Sequence, residues 1–393
     1  MTGPLNSLKV LDFSTLLPGP FGTLILADMG ADVLRIESPT RPDFVRLLPP
    51  SVNGVSAAHA YLNRSKRAMA LDLKQPEGIE IVHRLVRDYD IVVEQFRPGV
   101  MDKLGLGYEA LKAINPGLIY CSITGYGQTG PYRDRAGHDL NYLSIAGMTG
   151  YNGRRDSGPA PMACQVADVA GGSCHAVMAI LAAVIHRQQT GEGQYLDISM
   201  TDAAFSLHAL TAPGALVAGE DPELEGTKLN GGSFYDCYRT SDGRYLSVAG
   251  LEPQFFSRFC EAIQRPDLTA KGLSFSPQVV DEVKGAIAEA IGAHPLEHWL
   301  RVFAEVDCCV EPVLSFSEAR EHPQLKARNM VVSVPDGRGG EQLQVASPFR
   351  FSATPVSYRF AGVGLGQHNE DVLREQGFTD EDIVRLREAG ALG

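Results

Sequence analysis

Short apolar runs alternate with segments of helical period through the first third of the chain. Leu8-Lys9-Val10-Leu11-Asp12-Phe13 predicts a strand, Pro18-Gly19-Pro20 a break, and residues 21–29 a helix that Gly30 stops. Residues 31–37 follow as a strand. Pro76 to Arg87 has helical spacing with Pro76 and Glu77 in its first turn, residues 89–94 form an apolar strand, 108–114 a helix and 118–123 another strand. Apolar strands interleaved with helices imply a parallel sheet covered on both faces, an α/β class.

The pattern changes after a long apolar helix that begins near Asp168. A turn at 190–194, a strand at 195–199 and a helix at 201–210 complete a large domain over residues 1–210. Residues 211–230, rich in Gly, Pro, Glu and Asp, read as a linker. Strands at 234–238 and 244–248, with helices around 253–263, 278–291 and 295–306, predict a small α/β domain over 231–318. Residues 319–393 read as a linker and a return to the large domain.

Composition narrows the function classes. At 393 residues and 44% hydrophobic, the chain builds an ordinary globular core. A net charge of −12 argues against nucleic acid or an anionic membrane as partner, so an anionic ligand needs a local basic patch. Seven cysteines form no CxxC pair and no metal-ligand spacing, and Cys308 and Cys309 are adjacent. They read as reduced thiols of a cytoplasmic protein, with no metal expected. Met1-Thr2-Gly3-Pro4 leads into a strand without a signal segment, and the longest apolar stretch, 169–185, reads as too short and too polar to span a membrane.

Candidate chemistry centres on His138 in Gly-His-Asp-Leu-Asn-Tyr (137–142) and Asp168 in Ala-Asp-Val-Ala-Gly-Gly (167–172). An imidazole and a carboxylate on separate elements suit a reaction in which a proton leaves one face of a carbon and returns on the other. Each also has a structural reading, Asp168 as a helix N-cap above all. Gly171 and Gly172 leave the first turn bare, so its N–H groups are expected to be open to a ligand or an oxyanion. Glu252, before Pro253, reads as a helix-start residue. His175, His186 and His208 read as packing or surface residues, and Met148, Met162, Met178 and Met200 as core.

Gly125-Tyr126-Gly127-Gln128-Thr129-Gly130 fits GxGxxG after a strand, but Pro131 follows and no strand ending in an acid comes next. The glycines are therefore expected to shape a loop beneath Gly137-His138, not a dinucleotide site. The basic run Asn63-Arg64-Ser65-Lys66-Arg67, with Lys74, Arg97 and Lys103, is either solvated surface or a phosphate site.

Several blocks in order resemble the class III CoA-transferase superfamily: Leu24 to Val33 with Arg35-Ile36, Asn63-Arg64 through Lys74, Arg97-Pro98-Gly99-Val100, Leu104 to Gly107, Gly125 to Pro131, Tyr235 to Tyr245, and His322 to Leu325. The His-Asp-x-Asn-Tyr block at 138–142 and the Glu-Pro-Gln-Phe block at 252–255 resemble its racemase branch. The resemblance implies a large Rossmann-like domain, a small α/β domain and an interlocked homodimer with shared sites. It implies epimerisation of 2-methyl-branched acyl-CoA thioesters, with His138 and Asp168 exchanging acid and base roles and Glu252, from the partner chain, bonded to His138. No cofactor is expected, since coenzyme A is part of the substrate, and contacts to it would fall on Leu71, Asp72, Leu73, Lys74, Gln95, Phe96, Arg97, Lys103 and on Gly137, His138, Asp139, Leu140, Asn141 and Tyr142. The racemase pattern carries arginines where this chain has Ser38 and Lys103. The alternative it leaves open is CoA transfer between acids through an acyl anhydride on Asp168.

Overall fold

The computed structural model describes residues 3–393. Six strands, β1 (Lys9–Asp12), β2 (Asp32–Glu37), β3 (Arg67–Ala70), β4 (Ile91–Glu94), β5 (Ile119–Thr124) and β6 (Tyr195–Ser199), pair in the order β6-β5-β4-β1-β2-β3. Every pairing is parallel. The chain is thus an α/β protein with a central parallel sheet, and its strand order is the doubly wound one. β4 and β5 are buried at every position, so both faces of the sheet are covered there. The order reverses between β1 and β4, which opens a crevice at their carboxyl ends.

The helices follow from local signals. α1 (Pro18–Asp28) starts three residues earlier than the pattern predicts, with Pro18-Gly19-Pro20 inside it rather than before it. The first turn of a helix needs no N–H from these positions, so proline starts it instead of breaking it. α2 (Pro76–Leu85) buries Gly78, Ile81, Val82 and Leu85, the spacing of one helical face. α3 (Tyr108–Ile114) lies where predicted, and α4 (Asp139–Ile145) follows the glycine-rich loop. A π-helical turn, Ala167–Cys174, runs into α5 (His175–Thr190), which ends at Gly191 with φ +80°. α6 (Met200–Ser206) stops short of the predicted 210.

Ala167–Thr190 is a continuous helix, long and apolar enough to cross a membrane by length and composition. The apolar stretch is therefore longer than the sequence pattern suggested. It packs on α1, β5 and β6, burying Ala176, Val177, Ile180, Ala183 and Val184.

Two compact units divide the chain: one holds residues up to Ala146, Cys164–Leu207 and Gln324–Gly393, the other Gly147–Ala163 and His208–Pro323. In the second unit, β7 (Asp236–Arg239), β8 (Tyr245–Val248), α7 (Pro253–Ala262), α8 (Pro277–Gly292), α9 (Leu296–Phe303) and β9 (Val310–Pro312) enclose a core around Phe234, Phe256, Phe259 and Trp299. The segment Ala212–Ala218 is helical but buries no residue. The chain then forms the hairpin β10 (Val331–Pro335) and β11 (Glu341–Val345) and the helices α10 (Asn369–Glu375) and α11 (Asp380–Glu388). Val372, Leu373, Ile383, Leu386 and Leu392 join Leu11, Leu34 and Val92 in the core of the first unit.

Candidate active site

A cavity of about 680 Å³ opens at the carboxyl ends of β1, β4 and β5, where the strand order reverses. It is lined from the β1 side by Thr15, Leu16 and Pro18, from the β4 side by Gln95, Phe96 and Arg97, and by Ile123 and Thr124. His138 and Asp168 both reach it, together with Gly137, Asn141 and Tyr142.

The β1 wall is held from below. Asp12, at the end of β1, accepts the backbone N–H and hydroxyl of Ser14, the hydroxyl of Thr23 and the ammonium of Lys66. Leu16 has φ +61°, a left-handed conformation that a leucine seldom adopts. Its N–H donates to the Asp43 carboxylate, itself buried and paired with Arg35. A strained leucine is thereby fixed at the cavity's edge. On the β4 side, Glu94 accepts the N–H of Phe96 at 2.8 Å and the hydroxyl of Ser122. Burial pushes its carboxyl up to about 7, against the pull of those two hydrogen bonds. Gln95 accepts the N–H of Gly19 at 2.8 Å, tying the β4 loop to the start of α1.

The glycine-rich loop is a floor for His138, as the sequence pattern suggests. Gly127 and Gly130 take φ of +82° and +85°. A Cβ on Gly125 would lie 2.4 Å from the Tyr142 ring, and one on Gly137 would meet Tyr142 at 2.6 Å and the Tyr126 hydroxyl at 2.7 Å. Tyr126 packs edge-on against Tyr132 and Tyr142. His138 stands at the N-cap of α4, its N–H donating to Asn141 Oδ1 at 3.0 Å.

Asp168 is not an N-cap: it lies within the π turn, after Val166 and Ala167. Its N–H donates to Asp139 Oδ1 at 3.0 Å, and the N–H of Val169 to Gln165 O at 2.8 Å. Those two N–H groups are therefore not open to a ligand. The glycines serve packing instead. A Cβ on Gly172 would sit 3.0 Å from Pro18 Cβ and 3.1 Å from Met200 Cγ, and one on Gly171 3.2 Å from Met200 O. The Ser173 hydroxyl donates to Pro18 O at 2.6 Å, locking the turn to α1. Burial first, and then the negative charge of Asp139, push the Asp168 carboxyl up to about 7.

For Arg64, Lys66 and Arg67 the phosphate reading fails. Arg64 is buried and grips Asp28 through Nε at 2.9 Å and Nη2 at 2.6 Å. Lys66 is wholly buried, and that burial lowers its ammonium to about 8 despite Asp12. Arg67 pairs with Asp32 at 2.9 Å and Glu375 at 2.7 Å. Desolvated cations that already hold carboxylates leave little field for a phosphate. Of that basic set only Arg97 lines the cavity, where Arg133 and Arg135 join it. Arg133 and Arg135 are not singled out by the sequence pattern. Their signal is placement between two glycine turns just ahead of His138.

Of the expected coenzyme contacts, Gln95, Phe96, Arg97, Gly137, His138, Asn141 and Tyr142 line the cavity. Leu71 is fully buried and bridged to Leu392, so it offers no side-chain surface. Asp72 donates its N–H to Ala391 O and accepts that of Lys74, Leu73 packs on the core, and Lys74 and Lys103 are exposed. Leu140 is 45% exposed on α4. Glu252 is an exposed N-cap of α7 in the second unit. That unit has its own cavity, lined in part by Met148 and Met162. Met148 and Met200 are buried, whereas Met178, also expected in the core, is 55% exposed. Among the described residues, no three His, Cys, Asp or Glu gather as metal ligands.

Residues 5–369 match the model of CoA-transferase family III. The α-methylacyl-CoA racemase of Mus musculus is 34% identical over 391 residues, covering 97% of this chain and 96% of the relative. The succinate–glutarate CoA-transferase of Agrobacterium fabrum is also 34% identical, covering 95% of each. A CAIB/BAIF family protein from Brucella suis has a crystal structure that superposes with a TM-score of 0.83, at 30% identity over 96% of this chain and 100% of that one.

Proposed function

The chain belongs to CoA-transferase family III, and from that premise we propose that it epimerises 2-methyl-branched acyl-CoA thioesters by a two-base proton transfer. The observation that carries this reading is that His138 and Asp168 line one cavity. In one direction neutral His138 removes the α-proton and protonated Asp168 returns a proton to the opposite face. In the other, the Asp168 carboxylate removes it and the His138 imidazolium returns one. A carboxyl pushed up to about 7 is populated in both forms at neutral pH, which serves both roles. With the Asp168 and Val169 N–H groups engaged, the enolate oxygen draws on donors elsewhere.

Coenzyme A enters as part of the substrate, and no resident cofactor takes part. A second copy of the chain completes the site by bonding its Glu252 to His138. The apolar surface left open on the first unit supports a dimer: Ile145 on α4 is 56% exposed, Ile185 on α5 57% and Phe205 on α6 57%. Seven free cysteines, three of them exposed, fit a reducing cytoplasm.

The test is incubation with (2R)-2-methylacyl-CoA in D₂O without an acceptor acid. Deuterium at C2 and drift to both epimers, lost in His138→Ala, is the expected result; each positioned acid/base group is worth about 10²–10⁴ in rate. No exchange despite thioester binding overturns it. The transferase reading is favoured by the equal likeness to a CoA-transferase. It predicts an acyl group trapped on Asp168 and transfer to an added carboxylate, with His138 dispensable.

A further inference from the structure

Asp139 follows His138 in sequence and reaches Asp168 in space. It is the first residue of α4, the helix His138 caps, and its carboxylate accepts the N–H of Asp168 at 3.0 Å. It does not line the cavity that His138 and Asp168 share. Side chains that contact a reacting group only from behind act through it. We propose that Asp139 is a positioning residue: by holding the backbone of Asp168 beside the helix that carries His138, it sets both the placement and the proton affinity of the Asp168 carboxyl. The proposal rests on the epimerase reading for its purpose, but not for its measurement.

The surroundings single out Asp139. Five elements pack on the π turn that carries Asp168. From α4 come His138, Asp139 and Tyr142; from α1 only Asp28, at its far end and held by Arg64. α5 brings His175, whose Nδ1 lies 2.7 Å from Ala170 O, and at its far end His186 and Arg187. α6 brings Asp202, and β6 Tyr195 and Asp197, whose carboxylate accepts the N–H of Gln128. The turn itself carries Cys174. Beyond burial, Asp139 is the charge that raises Asp168. No cation pairs with either carboxylate to cancel the effect among the ion pairs of the described residues. An unpaired carboxylate kept against another one is costly, and such a cost is characteristic of a site where a proton must be shared.

Asp139→Asn separates the two contributions. It keeps an amide oxygen for the Asp168 N–H and removes the charge, whereas Asp139→Ala removes both. The experiment follows the Asp168 carboxyl by ¹³C NMR titration of aspartate-labelled protein, assigned with Asp168→Asn, and then the pH profile of α-proton exchange. In Asp139→Asn, the Asp168 titration is expected to move down by about half a pH unit or more, and the exchange profile to move with it. Asp139→Ala should in addition lower exchange at the optimum by about tenfold, through lost placement. An Asp168 titration unmoved in folded, CoA-binding Asp139→Asn overturns the proposal even if exchange is intact. A titration that moves while the native enzyme exchanges no α-proton upholds the positioning role and removes the epimerase reading instead.

Discussion

The phenol of Tyr142 donates to the carbonyl of Gly137, so the residue before His138 is pinned by a side chain of the very helix that His138 caps. The ring fills the space a side chain at Gly137 would need. Gly137→Ala is expected to push the His138 loop off Tyr142 and Tyr126, since its Cβ would lie 2.6 Å and 2.7 Å from them. Displacement of a proposed catalytic group by about 1 Å costs up to about 10²-fold in rate. Turnover should therefore fall steeply while thermal stability changes by only a few degrees. Equal turnover in the variant would show that His138 does not depend on this floor.

Glu94 makes stability depend on pH in a direction opposite to most carboxylates. Its folded value near 7 exceeds its ordinary 4.5, so the folded state binds more protons between the two. The stabilisation is complete below 4.5 and is lost as pH rises through about 7. Glu94→Gln keeps the acceptor for the Phe96 N–H and cannot ionise. Relative to the native protein it should gain about 2–3 kcal/mol between pH 5 and pH 8. Urea denaturation at the two values measures it, and a constant difference would place the Glu94 titration elsewhere.

Arg97, Arg133 and Arg135 bring three cations to one cavity in a protein of net charge −12. Arg135 stacks on Tyr132 at 4.2 Å, and Arg133 Nη2 lies 3.5 Å from where a Cβ on Gly99 would be. Guanidinium groups held this way suit the phosphates of coenzyme A. The double variant Arg133→Ala/Arg135→Ala should raise KM for an acyl-CoA by about tenfold or more and weaken its salt dependence. An acyl-pantetheine thioester, which lacks the diphosphate, should be used equally well by both proteins. A matching loss on both substrates would assign these arginines to folding.

Much of the first unit is legible in its pattern because a strand buried on both faces has little choice of residue. Ile91 to Glu94 and Ile119 to Thr124 read as strands and are strands. Sequence is less informative where one residue type serves two ends. Arg64, Lys66 and Arg67 look like a phosphate site because nothing local distinguishes a solvated cation from one sealed against Asp28, Asp12 or Asp32. Those partners lie far off in the chain. Gly171 and Gly172 look like an opening for a ligand, yet they admit Pro18 and Met200, which no spacing reveals. The π turn has no sequence signature of its own. His138 and Asp168 stand out by residue type, and they meet in one cavity because α4, which His138 caps, packs on the π turn that carries Asp168.

Glu252 supplies the sharpest test of how the site is assembled. If a second copy brings Glu252 to His138, Asp168→Asn and Glu252→Gln damage different halves of the same site. Each variant alone should lose most of its exchange activity. Co-expressed in equal amounts, half of the dimers are mixed, and one of the two sites in each mixed dimer has both residues intact. Activity should then recover to about a quarter of the native value. If the chains of the dimer are also interlocked, separately purified proteins mixed afterwards should recover little. If Glu252 instead serves the His138 of its own chain, every site in a mixed dimer keeps one lesion and no activity returns. Sedimentation of the purified mixture at the mass of a dimer is the necessary companion measurement, since a monomer would also show no recovery and would remove the shared-site arrangement altogether.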